Sequence, residues 1–552
     1  MRTLNQSHLD ITAIEAITNN KGALISSDTL KLNANILTNQ QGNINADKTI
    51  DLTLNNKLDN NAGKIVSKNN SEIKANTLNN AKGEMGANGL NITLTGHADN
   101  QQGAIISQNR LRLTANNVDN SQGIIQSEKS LWLSTQDGEL NNQNTHQSGG
   151  IISRGELHLN AGDINNSQGI INAKNSIDLQ SKIVNSQQGK IVTQGDFTAN
   201  TQGWDNTSGL IQAFNITINS NNQQLINRDT QKGQGIQATQ NLRLNTGVLD
   251  NSQGDISASQ LQLNTAKLGF INQFGRLTLS DHATLKTGAI NNHTGLIITG
   301  KDLIIDSHQQ KITNSETQKS GGIVSQGGLN IHSGDLNNQQ GQILAKQQVD
   351  LQTNIVTNQS GQILSELANL TLKGISLNNS QGHLFSPQPL QLTLRDHLIN
   401  RQTIDGNKGI ETKGTLTINS GDIDSTQGRI VSADQLTVKS GNLVNQQGIL
   451  GSLNSDLSIT SKQLINDDGS ISANNIIINT QGERLSNQST KTNSQIFSRN
   501  ALNMTTGELN NTKGKLISNA SVNILTYGEL NNTQGEISGH ETLEIETKKK
   551  KR

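Results

Sequence analysis

Apolar and polar positions along this 552-residue chain repeat one pattern, seen plainly in LNNQQGQILAKQQVDLQT, residues 336–353. With Gly341 as position zero, Leu336 sits at −5, Asn338 at −3, Ile343 at +2, Ala345 at +4, and Val349 and Leu351 at +8 and +10. Three short runs alternate with a period of two, and polar turns separate them. This predicts three short strands, each with one buried face. About 20 residues make one rung of a coil, which is too little to bury its own apolar face, so it needs like neighbours above and below.

The rung recurs from end to end. Its glycines run Gly22, Gly42, Gly63, Gly83, Gly103 and Gly123, then resume at Gly149, Gly169, Gly189 and Gly209. Counting three positions where glycine is replaced (Gln234, Lys408 and Ser494), 25 rungs end at Gly535. The +2 residue is apolar in all 25, and +4 is Ser, Ala, Thr or Gly in 24, with Leu279 the exception. The expected architecture is all-β: one continuous parallel β-helix over residues 1–547, followed by a basic tail at 548–552.

A second period overlies the first. Longer segments fall between the asparagine and position zero at 142–149, 227–234, 314–321, 400–408 and 487–494, so every fourth rung carries a loop. Each loop has threonine three residues after its asparagine: Thr145, Thr230, Thr317, Thr403 and Thr490. Insertion at one turn should place the loops along one edge, about 19 Å apart at four strand spacings. Such a row is the candidate contact surface, suited to weak multivalent binding. The alternative is a relic of block duplication, with each threonine closing its loop by a hydroxyl–backbone bond.

Other positions carry structural expectations. Ala345 and its small equivalents at +4 mark a narrow interior. Asparagine stands at −3 in 18 of the 20 unlooped rungs, Ser186 and Ser425 being the substitutes. In-register asparagines can form an amide ladder; equally, each can shape its own turn by Asx bonding. Gly341 and its equivalents imply either a positive φ or a close backbone approach.

Composition narrows the class. Apolar residues are 31% and aromatics 2%, a polarity that would suit disorder if the aliphatics did not hold a period. The only prolines, Pro387 and Pro389, lie beside one turn, as expected where backbone N–H groups enter ladders. The 44 basic and 44 acidic residues are interspersed, leaving no basic stripe for nucleic acid. No apolar run reaches the length of a membrane-spanning helix, and cysteine is absent. The chain opens part-way through a rung, with Leu9 and Ile11, and closes after Leu543 and Ile545 with TKKKKR. It reads as a piece of something longer.

No catalytic, metal-binding or cofactor-binding residue is expected. The eleven histidines show no HxH or HExxH spacing. Asp467-Asp468-Gly469 resembles part of a calcium loop but lacks the alternating oxygen ligands and reads as an ordinary turn. There is no GxxxxGK[ST], GxSxG or GxGxxG in a strand–helix context. Three classes are open to such a chain: a structural or adhesive stalk, a β-helical polysaccharide-degrading enzyme, and a leucine-rich-repeat horseshoe. An enzyme would need convergent charged residues between long irregular loops, whereas these loops are short and alike. The horseshoe would need a further leucine where Lys346, Lys174 and Glu128 stand. The stalk fits best, and no enzymatic activity is expected.

Rungs such as LNNQQGQILAK, DINNSQGIINAKNSIDL and ELNNTQGEISGHETLEI resemble the haemagglutinin repeats of filamentous-haemagglutinin-like exoproteins, over residues 4–547. The resemblance implies a right-handed parallel β-helix and the filament of a secreted surface adhesin of a Gram-negative bacterium. It further implies export by an outer-membrane two-partner-secretion transporter, and a host or neighbouring cell surface as partner. The stick of a contact-dependent growth-inhibition toxin is the alternative it leaves open. The family's N-terminal secretion domain is not found in this stretch.

Overall fold

The computed structural model describes residues 7–147, 149–490 and 495–548. The chain forms two compact units, residues 1–271 and 272–552, and each is a stack of rungs forming a parallel β-helix. Among the described residues there is no helix. In the second unit, the reference rung supplies strands Leu336–Asn337, Gln342–Ala345 and Val349–Gln352. Gln342–Ala345 lies in parallel between Gly322–Ser325 and Gln362–Ser365, with Ile343 opposite both Ile323 and Ile363. In the first unit, Ala104–Ser107 lies likewise between Glu84–Ala87 and Ile124–Ser127.

Period-two alternation becomes a dry interior. Leu336, Ile343, Ala345, Val349 and Leu351 are all fully buried. Each stacks on its equivalent a strand spacing away, and every fully buried aliphatic of this kind contributes roughly 1.5–3 kcal/mol. The third corner is softer than the sequence pattern predicts. In strands such as Leu370–Asn378 and Leu390–Ile399 the third run of one rung and the first run of the next fuse into one bent strand, and the register slips by one between Gly374 and Ser376. A bulge turns the chain there without a tight turn.

The first corner is tight, and two adjacent asparagines divide its work. Asn338 at −3 is fully buried. Its Nδ2 donates to Asn358 Oδ1 at 2.7 Å, and its Oδ1 accepts from Asn314 Nδ2 at 2.7 Å. The same amide group also reaches the Gln362 carbonyl at 3.0 Å. Asn337 at −4 does the Asx work instead, its Oδ1 accepting the Gln339 amide at 3.0 Å. The ladder and the local turn bond therefore coexist, one on each residue of the Asn-Asn doublet. In the first unit Asn80, Asn100 and Asn120 form the same ladder at 2.7 Å per step.

This ladder dictates the glycine. Gly341 donates to the Asn338 carbonyl at 3.0 Å, closing the turn. A Cβ on Gly341 would collide with the Asn314 carbonyl oxygen and with Asn338 Oδ1. Close approach is thus the reason for glycine in this rung. The positive φ falls one residue earlier, on Gln340 (φ 49°), the position that a type II turn places in the left-handed region. Gln102 (φ 55°) and Asp468 (φ 54°) hold the same place in their rungs, so Asp467-Asp468-Gly469 is an ordinary first corner.

The +4 residue does more than fit a narrow space. Where it is serine, the hydroxyl holds the second corner: Ser365 Oγ donates to the carbonyls of Gln347 at 2.7 Å and Ala368 at 2.9 Å. Ser325 does the same with Lys301 and Gly328.

The two ladder substitutes behave differently. Trp204 fills a buried −5 site, and its indole N–H donates to Ser186 Oγ at 2.9 Å. The Ser186 hydroxyl passes the chain of bonds to Asn206 Oδ1 at 3.0 Å. A short side chain at 186 therefore suits the large one at 204. At Ser425 the ladder stops: Asn400 Nδ2 reaches Ser425 Oγ at 3.4 Å, but Asn445 Oδ1 is buried with no partner.

These contrasts set two stability predictions, read by thermal or denaturant unfolding. Asn338→Leu should cost about 2–4 kcal/mol, since it strands a donor on Asn314 and an acceptor on Asn358 in a dry site; a loss of a few tenths would mean the ladder is idle. Ser425→Asn should instead stabilise the chain by about 1 kcal/mol by giving Asn445 Oδ1 a donor. Destabilisation by that substitution would show that the gap is too small for an amide.

Candidate functional site

The loops are the one feature that departs from the rung, and each enters at the first corner. In the first unit they occupy 142–149 and 227–234; in the second, 314–321, 400–408 and 487–494. Residues 148 and 491–494 of these loops, and 549–552 of the basic tail, lie outside the described residues.

An unlooped rung supplies its successor with an acceptor. The Gly341 carbonyl takes the Gln362 amide at 2.9 Å, and the Gly42 carbonyl takes the Lys64 amide at 2.8 Å. A loop displaces that carbonyl, and threonine replaces it. Thr317 Oγ1 accepts the Gln342 amide at 3.0 Å while donating to the Asn314 carbonyl at 3.3 Å. Thr145 caps Ile170 at 2.9 Å, Thr230 caps Asp255 at 2.7 Å and Thr403 caps Arg429 at 2.9 Å. All four threonines are buried, so any outward contact must come from their loop neighbours. Thr490 differs. It is exposed, and its backbone N–H and Oγ1 both donate to the Asp468 carboxylate, at 2.6 and 2.7 Å.

The buried threonines have a second requirement. Position +1 is glycine in the four rungs that bury the threonine (Gly150, Gly235, Gly322 and Gly409) and in no other rung. Each has a positive φ, from 73° at Gly322 to 98° at Gly409. A Cβ at Gly322 would meet Thr317 Oγ1 and the Gln342 carbonyl. The fifth rung has Gln495 there, matching its exposed threonine. The threonine–glycine pairing was visible in the sequence but lacked meaning without the inter-rung geometry.

Around the loops the surface is polar. Arg401 binds the Asp424 carboxylate one rung on, with Nε to Oδ2 at 2.8 Å. Burial pushes the Asp424 carboxyl up, but bonds from Arg401 and from the Thr426 hydroxyl and backbone outweigh it and hold the group below its ordinary value. Gln318 Nε2 reaches the Ser360 carbonyl at 2.7 Å, two rungs along, laying its loop against the corner. Loop tips contact columns of glutamine at −1, whose amides pair between rungs, as in Gln102 to Gln122 at 3.2 Å and Gln427 to Gln447 at 2.9 Å. Among the described residues no three His, Asp or Glu side chains gather as a metal site, and no helix is long and apolar enough to cross a membrane.

The capping role has a direct test. Thr317→Val keeps the shape but leaves the Gln342 amide without its acceptor. It should cost about 1–3 kcal/mol and speed hydrogen exchange at Gln342 more than at Gln362. Equal exchange at both amides would mean that the hydroxyl does not cap the rung.

Comparison with curated proteins finds no match, and comparison with solved structures finds none. The haemagglutinin repeat profile, by contrast, matches overlapping stretches from residues 4–53 through 269–315 to 480–534, tiling nearly the whole chain. With the same rung found at each of those stretches, the chain belongs to the haemagglutinin repeat family.

Proposed function

We propose that this chain is the stalk of a secreted bacterial surface adhesin, which holds a terminal domain or contact surface away from the cell. On this reading it passes through an outer-membrane two-partner-secretion transporter of a Gram-negative bacterium and meets a host or neighbouring cell outside. One observation carries the proposal most directly: the asparagines that recur at the first corner spend their hydrogen bonds on the next rung. Asn314, Asn338 and Asn358 bond in series, and Thr317 restores the link where a loop would break it. Such groups serve continuity along the axis. An enzyme would hold some of them free for a substrate.

A stalk built this way should fail one rung at a time. Pulling the chain by its ends in a force microscope should give a series of similar steps, each releasing about 70 Å from ~20 residues at ~3.5 Å apiece. Deleting residues 322–408, which is one loop-to-loop block, should leave a folded protein that loses about four steps, since stability in such arrays is nearly additive over neighbours. A single all-or-none release, or loss of the β-sheet circular dichroism in the deletion, would overturn the stalk reading.

A further inference from the structure

At the second corner the +4 hydroxyl has a further duty, seen where glycine stands at +6. Five rungs have that glycine: Gly89, Gly155, Gly195, Gly327 and Gly414. In four of them the +4 hydroxyl accepts its amide: Ser153 from Gly155 at 3.2 Å, Thr193 from Gly195 at 3.3 Å, Ser325 from Gly327 at 3.2 Å and Thr412 from Gly414 at 3.0 Å. The fifth has Ala87 at +4, and among the described residues the Gly89 N–H donates to nothing. The residue before it, Asn88, is exposed, and Asn88-Gly89 is the only Asn-Gly step in the chain. We propose that Asn88 is a self-modification site, which loses its side-chain amide to water through a cyclic imide formed with the Gly89 nitrogen.

The reaction needs an accessible carboxamide, a following backbone nitrogen free to give up its proton, and no side chain on that residue to obstruct ring closure. The Gly89 nitrogen attacks Asn88 Cγ. The N–Cγ bond forms, the Cγ–Nδ2 bond breaks, and the Gly89 proton leaves with the side-chain nitrogen as ammonia. Water then opens the imide. Addition at Cγ restores the ordinary backbone with aspartate at 88. Addition at the Asn88 main-chain carbonyl leaves an isoaspartyl link, in which the backbone runs through Cγ.

Asparagines elsewhere lack one or more of these conditions. Ladder amides are buried and bonded on both sides: Asn80 donates to Asn100 and accepts from Asn60, each at 2.7 Å. Asn519 is the closest comparison, exposed at the same +5 place. It is followed by Ala520, whose N–H is held by Ser518 Oγ at 3.2 Å. The two products at 88 differ in consequence. Aspartate fits, since Asp47 already stands at +5 in its rung. The isoaspartyl link does not. Asn88-Gly89 is the whole connection between strands Glu84–Ala87 and Leu90–Leu94. Asn88 is pinned on both sides, its N–H donating to the Asn69 carbonyl at 3.1 Å and its carbonyl accepting from Ser107 Oγ at 2.8 Å. An added main-chain atom between fixed ends loosens that corner.

The test keeps the full chain folded in mildly alkaline buffer and follows the Asn88 and Asn519 peptides by mass spectrometry, reading the exchange of NH₂ for OH. Conversion at Asn88 should run roughly tenfold ahead of Asn519, because Gly89 puts no Cβ in the path of ring closure. Ala87→Ser returns an acceptor to a place where the next rung has Ser107, and should slow conversion about fivefold, the effect of one net hydrogen bond. Gly89→Ala should slow it further. Its φ is outside the left-handed region, and its Cβ would crowd only the end of the Asn70 side chain. Circular dichroism verifies that both variants keep the fold. Conversion at Asn88 no faster than at Asn519, or an unchanged rate in either variant, would overturn the proposal.

Discussion

Register is the constraint on which everything else depends. A buried amide at −3 needs a polar partner at the same depth one strand spacing away, and a one-residue slip would turn it out of line. Asn314, Asn338 and Asn358 meet that demand in series. The rest of the corner follows from their packing. Glycine stands at zero because the preceding asparagine carbonyl and the rung's own amide oxygen occupy the space of a Cβ. The residue before it must then take a left-handed conformation. Gln340, not glycine, does so, at a steric cost of roughly 1–2 kcal/mol.

The same constraint governs where the rung can vary. Ser186 works because its hydroxyl gives Asn206 Oδ1 the donor that an amide would have given, while the Trp204 indole N–H donates to that hydroxyl in turn. Ser425 has no such partner, and an orphaned acceptor remains on Asn445. Insertions obey the rule too. A loop at the first corner removes a carbonyl that the next rung needs, and the chain tolerates it where a threonine hydroxyl returns an acceptor to the same point. Bringing that hydroxyl in requires an empty +1 site at Gly150, Gly235 and Gly322, and at Gly409 the positive φ and the Arg429 carbonyl of the next rung exclude a Cβ. Loop, threonine and glycine form one unit, and the loop beginning at Asn487, with Gln495 at +1, departs from it in both respects.

Much of the fold was legible in the sequence because burial writes itself as period two. Leu336, Ile343, Val349 and Leu351 could be assigned inward from spacing alone, and they are fully buried. What stayed illegible depends on contacts between rungs. Spacing left the ladder and the turn as rival roles for Asn338, since an Asn-Asn doublet does not say which member bonds outward. The structure gives one role to each residue, Asn337 and Asn338. Glycine at zero could signal conformation or proximity, and only neighbouring atoms decide. Threonine in the loops suggested an exposed contact or a local closure. That Thr317 would cap an amide 25 residues away has no trace in local sequence, although the glycine at +1 was its available sign.

These dependencies divide the surface from the frame. Positions −5, −3, 0 and +2 are fixed by the rungs on either side, and a change there propagates along the axis. The outward −1 side chains and the loop tips carry no such obligation, since Gln, Ala, Lys and Asp all occur at −1 with similar φ. Chemistry directed at another molecule can therefore change at these places without disturbing the stack. In a chain whose interior polar groups are nearly all committed to one another, function has to be sought on the corner that the asparagines hold in place.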